Sequence, residues 1–229
     1  MVRPTLKKQI PNLQEAIKET ALEQAAEYGA AALSLRAIAR ELKITAPAIY
    51  NYFSSRDQLV TALIVDAFTS LGDSQKSALE AGQGRDAAEN LVSLGVAYRK
   101  WAITYPQRYQ LIFGTPIPNY EAPDETTLPP AAWALMPLMQ TIQDLFAQGR
   151  VRLESLDKVS KKLKPMLENW NAFVGGDFDI EALYLAYVVW SRVHGLVMLE
   201  LGHQLPSFIT DPGEVFNREA FSIRLQYVK

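Results

Sequence analysis

The sequence predicts an all-α protein in which a group of short helices near the amino end precedes a larger body of longer ones. Three observations predict it. Apolar residues recur at three- and four-residue intervals along most of the 229-residue chain, the spacing that lines one face of a helix. No segment alternates apolar and polar residues between hairpin turns, as half-buried strands would. Glycines, prolines and helix-capping side chains break the pattern at short intervals up to residue 60 and at longer ones beyond it.

The elements follow in order. A first helix runs from Asn12 to Tyr28, with Leu13, Ile17, Ala21, Ala25 and Tyr28 on one side and Gly29 as its stop. Ser34 caps a second, short helix whose Leu35, Ile38, Ala39 and Leu42 share a face. Lys43-Ile44 makes a brief turn. Thr45 caps a third helix, which tolerates Pro47 in its first turn and ends near Phe53. Ser55 and Gln58 have the spacing of a capping box for a fourth, expected to reach about Leu71. After Gly82-Gln83-Gly84 come helices over 86–105 and 106–113. Residues 114–130 carry five prolines and read as an extended loop. Helices are then expected over 131–147, 155–173, 179–201 and 213–226, with Gly175-Gly176 parting the second and third of these. The natural division is 1–58 as one domain and 59–229 as another.

Composition excludes several classes of function. The chain is 48% hydrophobic and 21% charged, which is globular rather than disordered. With no cysteine it has no disulfide, thiolate nucleophile or thiolate metal site. Its two histidines, His194 and His203, are nine residues apart and lack metal spacing, so no metal is expected. No nucleophile motif marks an enzyme, and no cofactor is implied. Lys7, Lys8, Glu15, Lys18 and Glu19 leave no room for a signal-peptide core in the first twenty residues. The longest apolar run, Ala182 to Trp190, has nine residues, short of the ~20 that span a bilayer. The expectation is a cytoplasmic protein with no membrane partner. The net charge is −2, but residues 1–65 hold eight basic and six acidic side chains, a mildly basic head on an acidic body.

The second helix, its turn and the third helix fit within residues 34–53, the size of a helix-turn-helix whose second member enters a DNA major groove. The residue types suit that role. Thr45 stands at a helix start, where free N–H groups and the dipole favour a phosphate. Ala46, Pro47 and Ala48 are small enough to allow close approach to base edges. Tyr50, Asn51 and Tyr52 present polar tips from one turn, while Ile49 and Phe53 anchor the other side. Ser34, Arg36 and Arg56 lie where they can pair with flanking phosphates. On spacing alone, an ordinary packed helix corner is favoured over DNA binding.

The wording of the segment favours DNA. Leu33-Ser34-Leu35-Arg36-Ala37-Ile38-Ala39, followed by Ile44 through Leu59 with its Tyr-x-x-Phe and Arg-x-x-Leu pieces, resembles the amino-terminal domain of TetR-family transcriptional regulators over about residues 12–60. Trp190, His194 and Gly195 resemble the Trp-x-x-x-His-Gly signature of one group of TetR-type carboxy-terminal domains, as do Tyr105-Pro106 and Phe113-Gly114. One departure is Lys43, where the family usually has glycine. If the turn needs positive φ, a side chain there is strained by roughly 1 kcal/mol.

The resemblance implies a helix-turn-helix DNA-binding domain joined to a larger helical ligand-binding and dimerisation domain. It places Ser34, Arg36, Thr45, Tyr50 and Arg56 on the DNA backbone, and Ala46, Pro47, Ala48, Asn51 and Tyr52 toward bases; Lys43, the departure from the family, is expected to add a phosphate contact of its own. It implies a homodimer through helices near 155–173 and 179–201, acting as a repressor on a pseudo-palindromic double-stranded operator. It also implies a small apolar or aromatic effector in the body. Candidate pocket residues are Trp101, Tyr105, Tyr109, Phe113, Trp133, Met136, Met139, Trp170, Tyr187, Trp190 and His194, against the simpler reading that most of them are core. The competing functions are an all-α enzyme and a helical interaction module that ignores DNA.

Overall fold

The computed structural model describes residues 11–229, so the part of the signal-peptide reading that rests on Lys7 and Lys8 lies outside the described residues. Among the described residues there are ten α-helices: α1 (Leu13–Tyr28), α2 (Leu35–Glu41), α3 (Ala46–Tyr50), α4 (Arg56–Glu80), α5 (Ala87–Thr104), α6 (Pro106–Phe113), α7 (Asp124–Ala147), α8 (Lys164–Val174), α9 (Ile180–Leu201) and α10 (Pro212–Tyr227). Short 3-10 turns occupy Ala30–Ala32 and Leu153–Ser155. No strand occurs among the described residues; a single bridge joins Val151 to Val228.

The chain divides into two compact units. The first comprises residues up to Asp66 together with Gln107–Pro123, and the second comprises Ala67–Pro106 and Asp124–Lys229. α4 therefore contributes to both. In the first unit Ile17, Ala21, Leu35, Ile38, Ile49, Phe53, Leu59 and Leu63 are buried together as the period-3.6 pattern dictates. Lys18 bridges Asp66 at 2.7 Å and Glu15 at 3.1 Å. Burial works against its charge, but the two carboxylates outweigh it and hold the ammonium above its ordinary pKa. The segment after α6 is fastened to this unit by a 2.9 Å hydrogen bond between the hydroxyls of Tyr120 and Thr61.

The second unit packs α5, α7, α9 and α10 around Leu94, Trp101, Leu138, Ile142, Leu145, Leu183, Val189, Val193 and Ile223, all buried. Asp86 caps α5 by accepting the Glu89 N–H at 2.8 Å, and the Glu89 carboxylate returns a bond to the Asp86 N–H. That N–H bond, helped by Arg150, holds the Asp86 carboxyl below its ordinary pKa. α10 is fixed by Arg192, whose Nε donates to Glu219 at 2.7 Å, and α5 is tied to α9 by a bidentate Arg99–Glu200 pair at 2.8 and 2.6 Å.

Several expectations change. α4 continues nine residues past Leu71, and α3 stops at Tyr50 rather than near Phe53. Leu13 is half-buried and Tyr28 exposed, so the buried face of α1 is shorter than expected. The loop expected over 114–130 ends at Asp124, where α7 begins and runs through Pro129, Pro130 and Pro137. The donors these prolines lack would have bonded the carbonyls of Glu125, Thr126 and Trp133, all on exposed residues where water can take their place. Asp124 and Glu125 also suit the positive end of the helix. The helix expected over 155–173 begins only at Lys164, because Pro165 is tolerated in a first turn but would clash with the carbonyl of residue 161 in a longer helix. Finally, the nine-residue apolar run lies within α9, which at 22 residues is by length and composition long enough to cross a bilayer; here it packs against α5, α7, α8 and α10.

Candidate nucleic-acid interface

α2 and α3 are joined by four residues, Leu42 to Thr45, whose backbone bonds define the turn. The Ile44 N–H reaches the Ala39 carbonyl at 2.9 Å and the Lys43 N–H reaches that of Arg40 at 3.2 Å. This is a Schellman cap, which needs a left-handed residue just past the helix. Lys43 fills that position with φ 55°, so the turn keeps its form although glycine is absent. Ser34 and Thr45 occupy the N-cap positions of α2 and α3 with extended backbones, but neither side chain makes a capping hydrogen bond.

The five residues of α3 divide cleanly. Ile49 is fully buried and Phe53, just beyond, nearly so. Tyr50 and Tyr52 are 44% and 43% exposed, and Thr45, Ala46, Pro47 and Asn51 are exposed as well, with Ala48 half-buried. The outward side is therefore small at the start of α3 and aromatic-polar at its end. Arg36, Arg40 and Lys43 are exposed cations within eight residues, and Ser34 is half-buried. Arg40 was missed by sequence reasoning, although its i+4 relation to Arg36 puts it on the same side of α2.

Arg56 begins α4 as expected and also has partners within the chain. Its guanidinium donates to the carbonyls of Ala30 at 3.2 Å and Ala31 at 3.4 Å, and one nitrogen lies 3.3 Å from Asp57. It staples the start of α4 to the turn that leads into α2. The start of α4 is capped by Ser55, whose hydroxyl accepts the Gln58 N–H at 3.1 Å, while the Gln58 side chain accepts from Ser54 rather than Ser55 at 2.6 Å.

With this geometry in place, comparison with known proteins identifies the family. The model for bacterial regulatory proteins of the tetR family matches residues 17–63, and that for the tetracyclin repressor-like carboxy-terminal domain matches 91–221. An HTH-type transcriptional regulator of Mycobacterium tuberculosis is 33% identical over 208 residues, covering 90% of this chain and 88% of its own. The chain belongs to the TetR family. It is a DNA-binding transcriptional regulator, and the family's work is regulation rather than catalysis. Among solved structures, a candidate regulatory protein, SCO4313, is 35% identical with a TM-score of 0.73, covering 93% of this chain and 98% of that one. A TetR variant from Acinetobacter baumannii in complex with minocycline shares the fold at 16% identity and TM-score 0.53, over 96% of this chain and 95% of its own.

In this TetR-family chain the eleven candidate pocket residues do not form one cluster. Tyr109 and Phe113 belong to the first unit, where their rings lie 5.1 Å apart. In the second unit Trp101 is buried with its Nε1–H on Ser70 at 3.0 Å and its ring 6.1 Å from that of Tyr105. Trp133 leans on α4, donating to Asp73 at 3.1 Å and packing against Gly72, where a Cβ would come within 2.3 Å of the ring. Met139 is core and Met136 is half-buried. His194 lies 2.8 Å from the Tyr98 hydroxyl through Nδ1 and 5.1 Å from the Trp190 ring; burial lowers its pKa. Trp170, Tyr187 and Trp190 line one recess, and Trp101 and Tyr105 line another between α4 and α5.

Proposed function

We propose that this regulator is a homodimeric repressor that binds a pseudo-palindromic operator in the cytoplasm and is released by a small apolar or aromatic ligand held in the larger unit, with no membrane partner. The observation that carries the DNA reading is the two-sided character of α3: Ile49 and Phe53 inward, Ala46, Pro47, Tyr50, Asn51 and Tyr52 outward. Residues 1–58 then serve as the DNA-binding domain and 59–229 as the effector and dimerisation domain. Ser34, Arg36, Lys43, Thr45 and Tyr50 contact phosphates, joined by Arg40. Arg56 acts there chiefly by fixing the turn before α2. Asn51 and Tyr52 read base edges, and Ala46, Pro47 and Ala48 admit thymine methyls or a particular groove shape.

The dimer uses α9. Its expected companion over 155–173 is only the short α8, so α10 is the better second member. Exposed Leu199 of α9 and Val215, Phe221 and Leu225 of α10 support this, as does the groove of about 800 Å³ between the two helices. Two α3 helices related by the dimer axis must meet successive major grooves, about 34–36 Å apart. The ligand acts by binding one arrangement of the heads better than another, with α4, shared by both units, as the lever. The TetR variant solved with minocycline supports a ligand in such a body.

Binding of a cognate duplex measured across a salt series tests the interface. Arg36→Ala should weaken binding to every sequence and reduce the salt slope by about 1, whereas Asn51→Ala should cost about 1–3 kcal/mol and relax specificity at one position per half-site. Unchanged binding in both variants would refute the assignment of this face.

A further inference from the structure

We infer that the recess beneath α8 is a binding site for an uncharged, flat aromatic molecule. It has a volume of about 510 Å³, within the roughly 300–1,000 Å³ of small-molecule sites. Its walls come from three helices of one unit: Leu135 from α7, Met166 and Trp170 from α8, and Tyr184, Tyr187 and Trp190 from α9. No lining residue is charged. An anion or a hard cation would give up its hydration there without a partner, whereas a neutral aromatic ring loses little. The Tyr187 and Trp190 rings stand 6.2 Å apart and 57° to one another, forming an angled wall suited to offset and edge contacts. The hydroxyls of Tyr184 and Tyr187 allow one or two hydrogen bonds to orient the guest.

α8 is held as a wall. The Asn171 side chain donates to the Phe178 carbonyl at 3.0 Å and accepts the Phe178 N–H at 3.3 Å, locking the end of α8 to the approach to α9. Gly175, with φ 65°, makes the reversal between them. Two other recesses of this unit have different chemistry. The α9–α10 groove contains Arg192, Arg218 and Glu219, and the α4–α5 cleft contains Asp73 and Lys100. Aromatic density and absence of charge coincide beneath α8.

This inference rests on the ligand reading above and adds its place and its chemistry. The test titrates the full chain with 2-naphthol and 2-naphthoate at pH 7, by calorimetry and by quenching of tryptophan fluorescence. Tyr187→Ala and Met166→Glu change exposed positions, and their melting curves check folding. The expected result is saturable binding of 2-naphthol, at least tenfold weaker binding of 2-naphthoate, and a tenfold or greater loss in both variants. Absence of naphthol binding, equal binding of the two probes, or binding indifferent to both variants would overturn the site. If 2-naphthol releases operator DNA equally from wild type and variants, the recess fails and the ligand-release reading stands. If it fills the recess without touching operator affinity, the recess stands and its role as effector site fails.

Discussion

Lys43 holds a left-handed backbone at φ 55°, in a position that glycine occupies without strain. The sequence posed this as a question, because only the Schellman bonds of Ile44 and Lys43 reveal that the turn demands that conformation. Lys43→Gly should therefore raise stability by about 1 kcal/mol in urea unfolding, while flattening the salt dependence of DNA binding if the ammonium meets a phosphate. Arg56 was legible as a basic residue at a helix start. Its engagement with Ala30 and Ala31 depends on a 26-residue separation that no local pattern encodes. His194 carries a second prediction. Its folded pKa lies below the ordinary imidazole value of about 6.5, through burial beside Tyr98 and Trp190. Near that pH the unfolded chain binds more protons than the folded one. Stability is thus full above about pH 6.5 and falls as pH drops through the lowered value. Unfolding midpoints from pH 7.5 to 5 should show this decline, and His194→Gln should flatten it.

At the scale of elements, α1, α2, α5, α6, α9 and α10 were legible because their apolar spacing runs without an interior proline. α7 and α8 were not, because prolines were taken to break a helix over 114–130, whereas Pro165 was passed over within 155–173. In α7 Glu125 and Thr126 are exposed residues whose carbonyls water can reach in place of the missing donors, so the helix survives Pro129 and Pro130. In the segment before α8, Pro165 sets the helix start, and the run from Asp157 to Lys162, with Val159 its one apolar residue, has no apolar face to bury. With α8 this short, the proposed dimer interface falls on Leu199 of α9 and on Val215, Phe221 and Leu225 of α10, although α8 also exposes Met166 and Phe173. Leu199→Arg or Phe221→Arg should convert a dimer to monomer in sedimentation velocity and weaken operator binding. Dimers that persist in both variants would move the interface elsewhere.

At the scale of the whole molecule, the sequence foretold a small head and a larger body but not that residues 107–123 would return to the head's unit. That return depends on burial of Tyr109 and on the Tyr120–Thr61 bond, both distant in sequence. Candidate DNA residues were contiguous in the chain and so could be read together. Candidate pocket residues came from five helices, and shared aromatic character did not bring them to one place. The account as a whole requires α3 to be presented twice by a two-fold dimer. Selection of bound duplexes from a random pool tests it most directly. It should return an inverted repeat with half-site centres about 10–10.5 base pairs, or a multiple, apart, lost when Tyr50 and Asn51 are both replaced by Ala. A single unrepeated half-site, or the same consensus from the doubly substituted protein, would contradict it.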